Sequence, residues 1–175
     1  MTVCFYRRDG GEDLPAASLP DGFVIRAWCP ARQGVPPPGP RRTQNLAWWL
    51  MDRVGLFAQH DFTELSLWHE GRLVHRLVVT PRWYRFPFMA AADLQIGGLW
   101  TASDMRRCGL ARAMVVEACR CFGADATRLW FVVAADNQAS IRLAEACGFA
   151  MFGCGRRTQS FGLHMAGRFR IDHGA

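Results

Sequence analysis

A glycine-containing turn between an apolar segment and a helix-periodic segment most restricts how this chain can fold. The turn, Arg106 to Ala111 (RRCGLA), follows the apolar run Leu94 to Trp100 and opens the amphipathic stretch Leu110 to Phe122. Where a strand passes through such a turn into a helix, free backbone N–H groups point outward and the helix dipole favours an anion. Gly109 lets the backbone approach a ligand closely, and nearby arginines add positive charge. The segment therefore predicts a phosphate-binding loop.

The composition supports one folded domain. The chain has 175 residues, half of them apolar, with seven Trp and twelve Phe. A chain of this size buries about two-thirds of its unfolded surface. No apolar run reaches the roughly 20 residues of a membrane span, and the N-terminal segment lacks the apolar core of a signal peptide. We expect a single domain over residues 1–175, cytoplasmic, with no membrane partner.

Cysteine and arginine usage narrows the classes of partner. The seven cysteines are irregularly spaced and form no CxxC pair, so we expect no metal site and reduced thiols that mostly fill the core. The net charge is +6, and every basic residue except histidine is an arginine. These arginines are scattered rather than clustered, which favours an ordinary solvated surface. We therefore expect no nucleic-acid partner.

Periodicity and turn residues predict the order of the elements. After a short apolar start and a polar connection over 1–23, the predicted elements are a strand at 23–28, a loop at 34–40, a helix from Thr43 to about Phe57, a hairpin of strands at 63–68 and 73–80, a connection at 81–92, a strand at 94–100, a helix at 110–122, a buried strand at 129–134, a helix from Asn137, and strands at about 149–156 and 161–171. This order predicts an α/β fold with a mixed sheet.

Two motifs at the right separation give the chain its resemblance to the GNAT superfamily of acyl-CoA-dependent N-acyltransferases. The turn at Arg106 to Ala111 resembles the family's Q/R-x-x-G-x-G/A loop. The segment Asn137 to Phe149 (NQASIRLAEACGF) resembles the family's N-x-x-A-x-x-L-Y-E-K-L-G-F helix. The resemblance implies a mixed, mostly antiparallel central sheet with a splayed parallel strand pair, flanked by helices. The splayed strands would be 94–101 and 129–134.

The resemblance also implies where a cofactor binds. An acyl-CoA, with acetyl-CoA as the first choice, would lie with its pantetheine arm between the splayed strands and its pyrophosphate on the loop. The implied cofactor-binding residues are Leu99, Thr101, Arg106, Arg107, Cys108, Gly109, Leu110, Ala111, Arg112, Asn137 and Ser140.

The catalytic residues are less clearly marked. Family enzymes often protonate the leaving thiolate with a tyrosine on the later helix, but the matching position here is Ala144. Tyr84 is the alternative donor, with Cys147 and Ser140 behind it. Asp93 is our first candidate for the general base, although an acid at a strand start is commonly a solvated turn residue. His75 is the second, unless it is a hydrogen-bonded core residue, and Glu64, expected to face solvent, is the third.

The aromatic and basic connection before the Leu94 strand is the candidate acceptor wall. Trp83, Arg85, Phe86 and, on the strand itself, Gln95 are the predicted substrate-binding residues. The alternatives are a hydrophobic loop over the core or a contact in a homodimer. We expect direct attack by the primary amine of a small molecule, with an amino sugar as the first choice. A GNAT-fold module that binds acyl-CoA without turnover is the alternative, and acylation of peptide N-termini lacks the acidic cluster it would need.

Overall fold

A computed structural model describes residues 2–11, 18–36, 42–60, 62–158 and 167–172. The elements in chain order are β1 (Thr2–Asp9), β2 (Phe23–Trp28), α1 (Pro30–Gln33), α2 (Arg42–Arg53), β3 (Thr63–His69), β4 (Arg72–Pro81), β5 (Leu94–Thr101), a 3₁₀ turn (Ser103–Met105), α3 (Leu110–Phe122), β6 (Arg128–Ala134), α4 (Gln138–Ala146), β7 (Ala150–Arg157) and β8 (Phe169–Asp172). No helix among these residues is long and apolar enough to cross a membrane.

The described strands form one sheet of eight, in the order β2-β3-β4-β5-β6-β1-β7-β8. Neighbouring strands run antiparallel, except β5 and β6, which run parallel. A parallel pair needs a crossover connection, and α3 supplies it between β5 and β6. The predicted fold class, a mostly antiparallel mixed sheet with one parallel pair, is confirmed.

The N-terminal strand lies inside the sheet, which the sequence did not predict. β1 pairs with β6 on one side and with β7 on the other. Its side chains alternate between the faces, and Val3, Cys4, Phe5 and Tyr6 are all at most 5% exposed. The apolar run is only four residues long before the charged Arg7-Arg8-Asp9 end, so its periodicity was too short to indicate an interior strand.

The two faces of the sheet carry different layers. The face under α3 and α4 has an aliphatic core that includes Leu77 and Ile96 from the sheet and Met114 from α3. The other face, under α2, is aromatic. Trp48 of α2 stacks on Phe62, with ring centroids 5.3 Å apart, and Trp28 meets Phe62 edge-on. Several of the tryptophan side chains are therefore packed on the α2 face.

Several element boundaries differ from the sequence prediction. The helix predicted to reach Phe57 ends at Arg53, because the chain turns at Gly55 with a φ of +69°. A short helix at Pro30–Gln33 was not predicted; proline at its first position favours the helix start. The last strand is β8 at 169–172, and the part of its predicted range at 161–166 lies outside the described residues.

The expectation of reduced cysteines is wrong for one pair. Cys4 of β1 and Cys154 of β7 lie directly opposite each other and form a disulfide. The sequence could not suggest this pair, because it required knowing that β1 and β7 are neighbours. Cys119 and Cys147 are buried and lie outside this disulfide, as expected for core-filling cysteines.

Candidate active site

The parallel strands separate after only three paired residues. Leu94 to Ile96 of β5 lie opposite Leu129 to Phe131 of β6. Beyond this point β5 pairs only with β4, and β6 pairs only with β1. The backbone groups of the two facing edges therefore have no strand partner across the gap. Such a gap can take an extended chain that carries its own amide groups.

A glycine bulge bends β5 at the place where the strands part. Gly98 has a φ of +60°, and a Cβ added there would lie 3.0 Å from Cγ2 of Val78. The pairing with β4 also shifts between Arg76 and Val78. Both the left-handed backbone and the close packing require glycine here. The splayed parallel pair expected from the resemblance is thus present, and Gly98 makes it possible.

The predicted phosphate loop opens directly from the end of this gap. Arg107 and Gly109 both have left-handed backbones, with φ of +66° and +76°. Gly109 is the N-cap of α3, so the first N–H groups of α3 have no acceptor within the helix. Left-handed residues in a turn at a helix N-terminus help to direct successive backbone N–H groups toward one point, which suits an anion. Residues 106–109 are all exposed, so a ligand has access to them.

Contacts with β4 and β5 hold the loop in place. The backbone N–H of Ala102 donates to the carbonyl of Val74, and Nε of Arg106 donates to the carbonyl of Thr101 at 3.3 Å. Asp104 forms an ion pair with Arg72, and the hydrogen bond from Arg72 lowers the pKa of Asp104. The side chains of Arg106 and Asp104 therefore connect the loop to the end of β5 and to β4.

The start of α4 has a definite capping arrangement. Oδ1 of Asn137 accepts the backbone N–H of Ser140 at 3.1 Å, as an N-cap does. Asn137 is exposed, so its amide nitrogen remains open to a ligand. The hydrogen bond between Asn137 and Ser140 caps α4. The predicted contacts of these two residues with a cofactor remain predictions.

The first base candidate, Asp93, is fully buried. Its Oδ2 accepts Nε1–H of Trp130 at 2.7 Å and the backbone N–H of Ala90 at 2.9 Å. These bonds tie the connection before β5 to β6. The geometry supports a role in holding this connection and gives Asp93 no open path to an acceptor amine.

The second base candidate, His75, is also fully buried. Its Nδ1 lies 2.8 Å from Oγ1 of Thr101, on the α3 face of β4. Burial, followed by the charge of neighbouring Arg76, lowers the pKa of His75 to about 4. A neutral, enclosed imidazole favours a positioning role: it fixes Thr101 where the phosphate loop begins.

The stability of the protein should fall between pH 6.5 and 4 because of His75. The unfolded chain binds a proton on this histidine near pH 6.5, and the folded chain only near pH 4. Below pH 6.5 the unfolded state thus holds more protons, so the free energy of unfolding decreases, by about 2 kcal/mol at pH 5. Urea denaturation at pH 7 and pH 5 measures this loss. His75→Gln should reduce the loss, whereas the control His69→Gln should retain it; an equal loss in both variants would contradict the assignment.

The position of the missing tyrosine lies in the core. Ala144 of α4 is fully buried, and Cys147, with a pKa raised by burial, is 5% exposed. Tyr6, which the sequence did not single out, donates from its hydroxyl to Glu145 at 3.5 Å. Burial, then the charge of Glu145, raises the pKa of Tyr6. Among the described residues no tyrosine stands on α4 itself.

The aromatic connection between β4 and β5 packs onto the α2 face. Phe86 is 4% exposed and stacks on Phe169, with ring centroids 5.2 Å apart. Phe86 is therefore packed in the core, which favours the alternative, a loop that covers the core, over the predicted substrate contact. Trp83, Tyr84 and Arg85 are half-buried, and the Arg85 guanidinium lies 4.5 Å from the Trp83 ring centroid.

A carboxylate that was expected to face solvent lies instead under the aromatic layer. The Glu64 side chain is 14% exposed, and its Oε2 is 3.7 Å from Nη1 of Arg76, which is 3% exposed. Gln95 lies on the same face, next to Gly97. The alternating pattern of β3 places Glu64 on the face opposite Leu65, but it does not show that this position is largely buried. Within the described residues, no cluster of three or more His, Cys, Asp or Glu side chains could hold a metal ion.

The fold and the site are those of a protein that binds an extended ligand ending in phosphates. The parallel strands part and leave room for the extended portion, and the glycine-capped start of α3 lies beside this gap. The sequence matches the family model described as "Acetyltransferase (GNAT) family" over residues 24–149. The chain belongs to the GNAT acetyltransferase family. Members of this family are acyltransferases that use acetyl-CoA or another acyl-CoA.

Solved structures share this fold at low sequence identity. A GCN5-related N-acetyltransferase from Sphaerobacter thermophilus is 16% identical, with a TM-score of 0.61, over 87% of this chain and 49% of that one. A tandem GNAT protein from the clavulanic acid biosynthesis pathway is 14% identical, with a TM-score of 0.63, over 86% and 50%. The aminoglycoside N-acetyltransferase AAC(6')-Iy, in complex with CoA, is 13% identical, with a TM-score of 0.51, over 79% and 97%.

These likenesses concern the fold. Six of the similar structures are longer than this chain, which spans 48% to 62% of their length. No protein with curated annotation matches the sequence significantly.

Proposed function

We propose that the protein transfers an acyl group, acetyl in the first instance, from acyl-CoA to the primary amine of a small molecule. The observation that carries the proposal is the gap between β5 and β6 beside the loop at Arg106 to Ala111. Acyl-CoA supplies the acyl group as a thioester. The unpaired strand edges fit its amide-containing arm, and the exposed N–H groups at the start of α3 fit its phosphates.

Direct attack by the amine in a ternary complex is the mechanism we favour. A covalent enzyme intermediate needs a nucleophile activated by an adjacent base. Cys108 is exposed in the phosphate loop, and its Sγ contacts only the carbonyl of Arg106 among the described partners. Cys147 is buried in the core. Neither arrangement supports acyl transfer through a thiol.

A small amine, with an amino sugar as one candidate, is the acceptor we propose. The α2 face is lined with indole rings, and ring faces of this kind stack on sugars and attract cations. By its name, the aminoglycoside N-acetyltransferase with the same fold acts on aminoglycosides, which makes amine-bearing sugars a reasonable class to test first.

A module that binds acyl-CoA without turnover is the second candidate. The buried Ala144 favours it, because this helix lacks the tyrosine that protonates a leaving thiolate in related enzymes. A thiolate is nevertheless a tolerable leaving group near neutral pH, so an unassisted step remains compatible with acyl transfer.

Release of the CoA thiol separates the two functions. Acetyl-CoA is incubated with the protein and a panel of amines that includes glucosamine, an aminoglycoside, benzylamine and a short peptide, and free thiol is measured. Turnover with at least one amine supports the enzyme. A CoA-dependent rise in melting temperature without thiol release supports the binding module, and no rise at saturating CoA would overturn both.

A further inference from the structure

We propose that His75 is a positioning residue for the phosphate loop and that it sets the affinity for acyl-CoA through Thr101 and Arg106. The three residues form a hydrogen-bonded series that runs from the interior of the sheet to the loop. The inference rests on the proposed function, because it concerns how the loop is held for the diphosphate of acyl-CoA. It gives His75 a role other than that of a general base.

Strand register places His75 beside the residue from which the chain leaves the sheet. His75 of β4 lies directly opposite Thr101, the last residue of β5. Its Nδ1 is 2.8 Å from Oγ1 of Thr101, which is an ordinary hydrogen-bonding distance. His75 is fully buried, whereas Thr101 is half-buried. The bond therefore joins the interior of the sheet to the start of the loop segment.

The carbonyl group of Thr101 connects the same residue to the loop. It accepts a hydrogen bond from Nε of Arg106 at 3.3 Å. The N–H of Met105 donates to the carbonyl of Ala102, so the chain between Thr101 and Arg106 makes a compact turn. The N-cap Gly109 follows shortly after. A displacement of Thr101 would therefore move the backbone from which the N–H groups of the loop project.

The other described contacts between β4 and this turn do not replace the bond from His75. The N–H of Ala102 donates to a backbone carbonyl of β4 at 2.9 Å, but this bond does not involve the Thr101 side chain. The ion pair between Arg72 and Asp104 lies at the surface, where both side chains are more than half exposed. Exposed pairs of this kind contribute little to stability. His75 thus supplies the contact that is shielded from water.

Histidine is an unfavourable residue for this position if its role is only structural. Its Nε2 is buried and has no hydrogen-bond partner among the described residues. Leu67, opposite it on β3, and Leu77, on the same face of β4, are apolar and fully buried. A leucine would pack among them without leaving a buried polar atom unpaired. The bond to Thr101, rather than stability, therefore accounts for the histidine.

CoA affinity in a double-mutant cycle tests the inference. His75→Leu and Thr101→Val each remove one partner of the bond and keep a similar side-chain volume, and isothermal titration at neutral pH gives the dissociation constants for CoA. An ordinary hydrogen bond corresponds to about a fivefold change in an equilibrium constant, so each variant should bind CoA about fivefold more weakly. The double variant should bind no more weakly than either single variant, because all three lack the same bond.

Thr80→Val is the matched control. Thr80 is a buried threonine at the other end of β4, and its Oγ1 donates to the carbonyl of Gln95 at 3.4 Å. This variant should leave CoA affinity unchanged. Urea denaturation of every variant separates positioning from a general loss of stability, and His75→Leu should be at least as stable as the wild type at neutral pH.

The outcomes separate the inference from the proposed function. Weaker CoA binding by stable His75→Leu and Thr101→Val proteins supports the inference. Unchanged affinity, additive losses in the double variant, an equal loss in Thr80→Val, or weaker binding that only follows a lower free energy of unfolding overturns it. With an amine that is turned over, KM for acetyl-CoA should rise at constant kcat; a fall in kcat alone would indicate a general base instead. A wild-type protein that does not bind CoA would overturn the proposed function as well.

Discussion

Replacing Gly109 by valine should weaken CoA binding at least tenfold. Gly109 has a φ of +76° at the N-cap of α3, and a left-handed backbone costs an L-residue about 1–2 kcal/mol, more for a β-branched one. The loop would therefore shift toward other conformations, in which the N–H groups of residues 107–112 no longer converge. Since 1.4 kcal/mol is a factor of ten in affinity, the strain alone accounts for about that loss. Isothermal titration with CoA measures it.

Gly55→Val is the matched control. Gly55 has a φ of +69°, and, as at Gly109, no atom would lie within 4 Å of an added Cβ. Both variants should lose a similar amount of stability, but Gly55 follows α2 and lies outside the phosphate loop. Equal CoA affinity of the two variants would show that the loop conformation does not determine binding, and would remove the main support for the cofactor site.

The conformation of the loop at the proposed cofactor site was predictable because it depends on local sequence. Gly109 lies between a strand and a helix that are neighbours in the sequence. A glycine in such a turn indicates a left-handed backbone conformation without knowledge of the fold. The strand pair followed from the resemblance, since the two matching motifs, Arg106 to Ala111 and Asn137 to Phe149, each stand shortly after one of its strands. Gly98 was overlooked because a glycine inside an apolar run does not by itself indicate a bulge.

The acceptor half depends on long-range packing. Glu64 is largely buried beside Arg76 of the neighbouring strand β4, and a sequence pattern within β3 does not reveal such a neighbour. Asp93 and His75 have suitable chemistry as bases, but their burial follows from contacts with Trp130 and Thr101, each more than twenty residues away. Periodicity assigns a residue to a face of a strand; it does not say what covers that face.

Breaking the Cys4–Cys154 disulfide should produce the largest loss of stability. The two cysteines are 150 residues apart. In the chain-entropy model, a closed loop of this length lowers the free energy of the folded state relative to the unfolded by about 5 kcal/mol. For a chain of this size, a loss of that order corresponds to roughly 10–15 °C in melting temperature. Guanidinium denaturation with and without a reductant measures the difference.

The variant Cys4→Ala/Cys154→Ala controls for the five remaining cysteines. It should match the reduced wild type in stability and should not respond to the reductant. Because β1 also pairs with β6 along one side of the cofactor gap, loosening β1 should weaken CoA binding as well as stability. A count of seven free thiols in the denatured, unreduced protein would contradict the disulfide. Equal stability of the oxidised and reduced proteins would instead mean that the ladders to β6 and β7 hold β1 without the covalent bond.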